Sequence, residues 1–112
     1  MKKTITILLC TYNEEDNIDD LYDRLSKIVA KIPKYSFEYL FVDNASSDGT
    51  VKKIKQIAKK NKKVKLIVNA RNFGSECSHM YGLNQVSSDA CIQIASDLQD
   101  PPEVIPDLIK KW

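Results

Sequence analysis

The sequence predicts an α/β fold, a mainly parallel sheet of about four strands flanked by helices. Three observations predict it. Short apolar, β-branched runs alternate with stretches whose apolar residues recur every three or four positions. Each apolar run ends abruptly in polar residues. A chain of 112 residues, 43% hydrophobic and 29% charged, suits one small domain with its own core and not two.

The first run, Thr4-Ile5-Thr6-Ile7-Leu8-Leu9-Cys10, has no alternation and reads as a strand covered on both faces. From Glu14 onward, Ile18, Leu21, Tyr22, Leu25, Ile28, Val29 and Ile32 fall on one helical stripe, and Pro33 sits just past its end. The carboxylates Glu14, Glu15 and Asp16 lie where the helix dipole favours negative charge. Phe37 to Val42 reads as the second strand. Ser46-Ser47-Asp48-Gly49 then supplies turn and capping chemistry before Val51, Ile54, Ile57 and Ala58 resume helical spacing. Val64 to Val68 is a third strand, and a loop through Gly74 leads to a helix of about Ser75 to Val86. Ala90 to Ala95 is a fourth strand, and Pro101-Pro102-Glu103 signals the start of a last helix. Strict alternation of strand and helix means βα units, and such units place their strands parallel in one sheet, a Rossmann-like half. The last helix still runs at Ile109-Lys110-Lys111-Trp112, so the chain is expected to be truncated at its C-terminal end.

Composition narrows the function classes. No run approaches the roughly 20 apolar residues that span a bilayer, and Met1-Lys2-Lys3 leads into a strand, which points to a cytoplasmic protein. Cys10, Cys77 and Cys91 have no metal or disulfide spacing and read as buried small apolar residues. A formal charge of +2 gives no reason to expect a nucleic-acid partner. Eight lysines crowd residues 52–65, which read as the solvated face of a helix, the alternative being attraction to an anionic membrane surface.

Ligands of open parallel sheets bind beyond the carboxyl ends of the strands. There the four strands deliver Thr11-Tyr12-Asn13-Glu14, Asp43-Asn44, Asn69-Ala70-Arg71-Asn72 and Ser96-Asp97-Leu98-Gln99-Asp100. Any one of these residues alone is more often a cap or a turn. Their four-way convergence suits a nucleoside diphosphate: a tyrosine against the base, a carboxylate accepting its N–H, Arg71 for phosphate, and an Asp with Gln99 for a hard divalent cation. Neither GxGxxG nor GxxxxGK[ST] is present, which argues against dinucleotide and P-loop binding.

Four strings carry a resemblance: Thr11-Tyr12-Asn13-Glu14-Glu15-Asp16-Asn17-Ile18, Val42 to Thr50, Arg71-Asn72-Phe73-Gly74, and Asp97-Leu98-Gln99-Asp100-Pro101-Pro102-Glu103. In order and spacing they resemble the signature blocks of family 2 glycosyltransferases of GT-A fold. The nearest subgroup is the polyprenyl-phosphate sugar transferases, similar to dolichyl-phosphate mannose synthase and bactoprenol glucosyltransferases. The resemblance implies that residues 1–112 are the nucleotide-sugar-binding part of such a domain, serving cell-envelope polysaccharide synthesis. It implies that Cys10, Thr11, Tyr12 and Glu14 line the base and ribose and that Asp43 reads the base edge. Arg71 and Ser96 would meet the diphosphate, and Asp97 and Gln99 its Mg²⁺ or Mn²⁺. It further implies inversion at the anomeric carbon, a nucleoside-diphosphate sugar as donor, and a polyprenyl phosphate or glycan as acceptor, at the inner face of the membrane in the intact protein. The sequence departs from the family pattern at Cys10, where Pro is usual, at Asn44, where a second Asp is usual, and at Ala95, where the first Asp of the metal-binding Asp-x-Asp is usual.

The loss of an oxygen ligand at Ala95 raises a second reading, a non-catalytic nucleotide-binding domain with a degenerate metal motif. Asp100 reads as a helix start in preference to a ligand, and His79, on an apolar helix, as structural. A phosphoacceptor receiver domain would need an acidic pair after the first strand and an acceptor Asp after the third. Thr11-Tyr12-Asn13 and Asn69-Ala70-Arg71 stand there instead.

Overall fold

The computed structural model describes residues 3–70, 88–95 and 105–111. They form β1 (Thr4–Thr11), α1 (Glu15–Ala30), β2 (Ser36–Asp43), α2 (Thr50–Lys60), β3 (Val64–Val68), β4 (Ala90–Ala95) and α3 (Ile105–Lys111). The anticipated helix of residues 75–86 lies outside the described residues, as does the Pro101-Pro102-Glu103 start signal. Elements otherwise fall within one or two residues of the positions that periodicity assigns.

The four strands make one sheet in the order β3-β2-β1-β4, every neighbouring pair parallel. The chain therefore steps outward from β1 to β2 to β3, then returns to the other side of β1. That reversal between β1 and β4 is the point in open α/β sheets where a crevice opens above the carboxyl ends of the strands. Register puts Thr11 opposite Asp43, and Cys10 opposite both Val42 and Ala95.

Alternation along the strands sorts side chains onto two faces. Ile5, Ile7 and Leu9, with Phe37, Tyr39 and Phe41 and with Ile94, meet Ile18, Leu21 and Leu25 of α1, Ile54 of α2 and Ile105 of α3. All three described helices share this core. On the opposite face Leu8, Leu40 and Val42 form a smaller buried cluster with Cys10, Ile67 and Cys91 packed beside it. An isolated helix the length of α1 is marginal in water. Its three fully buried side chains, each contributing about 2 kcal/mol on burial, decide its stability instead.

Cys10 and Cys91 are half-buried thiols, consistent with small apolar packing residues; Cys77 lies outside the described residues, as does His79. Burial pushes the Cys10 thiol up to about 12 and raises that of Cys91. No helix among the described residues is long and apolar enough to cross a membrane.

Candidate functional site

At the carboxyl ends of β1 and β2 the two following loops are tied together by a polar network centred on Asp43. Asp43 is fully buried. A carboxylate tolerates that only when its oxygens are satisfied. Thr11 Oγ1 donates to Asp43 Oδ1 at 2.8 Å, the Ser46 hydroxyl donates to the same oxygen, and the Ser46 backbone N–H donates to Oδ2 at 2.8 Å. Ser46 Oγ in turn accepts the Asn13 backbone N–H at 2.9 Å, so the β1–α1 loop is linked through one hydroxyl to the buried carboxylate. Asn13 completes the tie by accepting the Ser47 N–H at 2.8 Å on its side-chain oxygen.

Two residues here adopt the left-handed region, Asn13 with φ 51° and Ala45 with φ 61°. Asn visits that region readily. Ala does so at a cost of about 1 kcal/mol, and such strain persists where surrounding contacts over-determine the backbone. The Ser46 bonds to Asp43 supply that determination one residue beyond Ala45.

The start of α1 is capped from a distance. Glu14 makes no side-chain cap bond to its own helix. The Glu14 backbone N–H donates to Thr50 Oγ1 at 2.8 Å and the Glu15 N–H to Asp48 Oδ2 at 3.3 Å. Thr50 is fully buried, and its hydroxyl donates onward to Asp48 Oδ1, which also accepts the Thr50 N–H at 3.0 Å. Desolvation raises the Asp48 carboxyl, but the hydrogen bonds from Thr50 and Glu15 outweigh it and hold the group below its ordinary value. Lys53 closes the corner, donating to the Glu15 carbonyl at 2.8 Å and pairing with Asp19 at 3.2 Å.

Of the residues named from sequence, Cys10, Thr11, Tyr12, Glu14 and Asp43 come together at this corner. Tyr12 is 47% exposed at its lip, a large ring presented to solvent, and Glu14 is half-buried with Oε2 accepting from Asn17 at 2.9 Å. Asn44 is buried and accepts from the Asn69 side chain at 2.9 Å, which joins the end of β3 to the same rim. Arg71, Ser96, Asp97, Gln99 and Asp100 lie outside the described residues. The last described residue of β4, Ala95, lies across the ladder from Cys10. Among the described residues no group of three His, Cys, Asp or Glu is arranged to hold a metal ion. Carboxylate and amide oxygens, the donors that Asp97 and Gln99 bring, are the type a hard divalent cation takes, whereas Ala95 brings none.

Sequence reading saw Ser46 to Gly49 as a local turn and cap. Its use of Ser46, Asp48 and Thr50 to hold a different loop, more than 30 residues away, went unread. The available signal was the density of short hydroxyl and carboxylate side chains in residues 43–50, more than one turn uses.

Residues 6–112 match the profile of glycosyl transferase family 2. The chain is 37% identical over 108 residues to a bactoprenol glucosyl transferase of Shigella phage SfV, covering 96% of this chain and 35% of that protein. Among solved structures it is similar to a mannosyltransferase from Pyrobaculum calidifontis in complex with GDP-Man and Mn²⁺, with TM-score 0.73, 20% identity, and coverage of 98% and 32%. It is also similar to glucosyl-3-phosphoglycerate synthase from Mycobacterium tuberculosis in complex with Mn²⁺, UDP and glucosyl-3-phosphoglycerate, with TM-score 0.71, 26% identity, and coverage of 96% and 39%. The chain thus spans about a third of the length of the curated relatives it matches. With the family profile matched over residues 6–112 and the fold in agreement, the chain belongs to glycosyl transferase family 2.

Proposed function

We propose that this chain is the donor-binding part of an inverting glycosyltransferase that moves a sugar from a nucleoside diphosphate to a polyprenyl phosphate or a glycan. The observation that carries the reading is the pinned corner at the carboxyl ends of β1 and β2, where Thr11 is bonded to the buried Asp43 and the loop that bears Tyr12 and Glu14 is tied to Ser46 and Thr50. The Mn²⁺ and nucleotide complexes of the similar structures and the bactoprenol relative support it.

In this reading Cys10, Thr11, Tyr12 and Glu14 line the base and ribose. Asp43, whose Oδ2 accepts the Ser46 N–H among the described residues, accepts from the base edge with a remaining lone pair. Arg71 and Ser96 hold the diphosphate, and Asp97 and Gln99 hold a divalent cation, Mg²⁺ or Mn²⁺. When bound, the cation supplies positive charge against the departing diphosphate. The protein's own part is to fix the donor so that the acceptor attacks in line from the opposite face of the sugar. A polyprenyl phosphate arrives as an anion and needs no general base; a glycan hydroxyl needs one from outside this chain. The proposed location is the cytoplasm, at the inner face of the membrane in the intact protein. Nucleic acid is not a proposed partner.

Ala95 favours a second reading, a nucleotide-binding domain that has lost turnover, and metal dependence separates the two. Calorimetric titration with UDP, GDP and their sugar conjugates, with and without Mn²⁺, tests both. Metal-dependent binding of one nucleotide is expected, abolished in Asp97→Ala; metal-independent binding supports the second reading. Asp100→Ala should cost about 1 kcal/mol of stability as a lost cap and leave binding intact. A reversal of those two effects would reassign the metal ligand. The 112-residue chain alone is expected to transfer sugar poorly, and efficient transfer by it would refute the division of labour proposed here.

A further inference from the structure

We infer that the α2–β3 flank is an electrostatic docking surface for an anionic lipid bilayer. Residues 50–65 carry eight lysines and no acidic residue, which leaves 9 of the 17 basic residues and all 15 acidic ones to the rest of the chain. A molecule of net charge +2 is therefore strongly polarised. The structure carries this beyond one helix face. Lys52, Lys55, Lys59 and Lys60 are exposed along α2, Lys62 and Lys63 continue the surface through the turn, and Lys65 extends it onto β3. β3 is an outer strand of the described sheet, so the charge lies along one lateral edge and not over its middle.

Simpler accounts cover only part of this set. Lys59 and Lys60 sit in the last turn of α2, where the helix dipole favours cations. Lys65 on an outer strand discourages pairing with other chains. Lys53 is paired with Asp19. A solvated face generally mixes signs at i,i+4, as α1 does with Asp23 and Lys27. On α2 the i,i+4 pair Lys55 and Lys59 carries the same sign, which destabilises a helix. That arrangement is expected where a diffuse anionic partner supplies the opposite charge.

Lysine rather than arginine, with no aromatic ring in residues 50–65, suits attraction to a charged surface and lacks the stacking and bidentate contacts of nucleic-acid readers. The choice of a bilayer rests in part on the lipid-acceptor reading above, whereas the charge argument stands without it.

The test is co-sedimentation of the chain, without nucleotide, with vesicles of phosphatidylcholine and of an equal mixture of phosphatidylcholine and phosphatidylglycerol. Binding to the mixed vesicles alone, lost as salt rises, is expected. Replacing Lys52, Lys55, Lys59 and Lys60 together by Gln should weaken partition by at least about tenfold, and replacement by Arg should preserve it. Circular dichroism confirms folding, and if the Gln variant unfolds, the salt series and the Arg variant decide. Equal binding to both vesicles, no binding to either, or displacement by duplex DNA at matched phosphate would overturn the inference. Because no nucleotide is present, failure here leaves the donor-site titration untouched.

Discussion

At the carboxyl ends of β1 and β2 two loops meet through a buried carboxylate and the hydroxyls of Thr11 and Ser46, whereas at the amino end of β2 α1 and the α2–β3 turn meet the sheet through tyrosines. There the Tyr22 and Tyr39 rings pack edge to face with centroids 5.6 Å apart, and Tyr22 accepts a hydrogen bond from the Asn61 amide at 2.9 Å. A cavity of about 610 Å³ opens beside them, lined by Ser26, Tyr35 and Lys63 among others, and no carboxylate lines it. Both ends close the same sheet. At the amino end of β2 the join rests on apolar area and on the neutral Asn61–Tyr22 bond, with an exposed Lys63–Ser36 hydrogen bond at its margin and, among the described residues, no buried carboxylate. The carboxyl end instead buries a charge, strains Ala45 and caps α1 from another loop. Features that stability alone does not call for set the carboxyl end apart as the proposed nucleotide end.

The largest break in this contrast should come from Asp43→Ala. It removes a carboxylate with three protein donors and leaves buried Thr11 and Ser46 groups unpaired, so urea unfolding should report a loss of about 3 kcal/mol, with nucleotide binding gone. Thr50→Val keeps the shape but removes the acceptor of the Glu14 N–H. About 2 kcal/mol of stability should be lost, with weaker nucleotide affinity as α1 shifts. Tyr39→Phe, at the other end, removes a hydroxyl hydrogen-bonded to Ser26; the expected cost is about 1 kcal/mol, with affinity unchanged. A change in affinity for Tyr39→Phe as large as that for Thr50→Val would erase the distinction between the two ends. A separate effect, absent at neutral pH, is on pH dependence. Burial raises the Cys10 thiol from its ordinary 9.0 and the Tyr39 phenol from 10.0, each to about 12. An acid raised on folding loses its proton first in the unfolded chain. The stability linked to both groups is therefore complete below pH 9 and falls as pH rises toward 12, which unfolding curves across that window would register.

Much of the fold was legible because it depends on local periodicity. Stripes of Ile18, Leu21 and Leu25 and runs such as Ile5 to Leu9 announce which face is buried, and the strands lie within a residue or two of where those runs fall. Strand order was not legible, since the return of β4 to the far side of β1 depends on packing between segments some 80 residues apart. At the site, the residue types were readable and their linkage was not. An alanine with positive φ at position 45 follows no propensity rule. The hydroxyl of Thr50 reads as a local cap of α2, yet it serves the start of α1 36 residues earlier. Thr11 and Asp43 were each named separately; their pairing emerged only from the register of β1 on β2.

The central claim, that the pinned end of the sheet is the nucleotide site, is tested most directly by amide NMR shifts on titrating the chain with UDP or GDP in the presence of Mg²⁺. Shifts are expected to concentrate in residues 10–14 and 43–50, with those of Tyr22, residues 35–39 and Asn61 unmoved. Shifts centred on the tyrosine end, or none from either nucleotide with metal present, would contradict it.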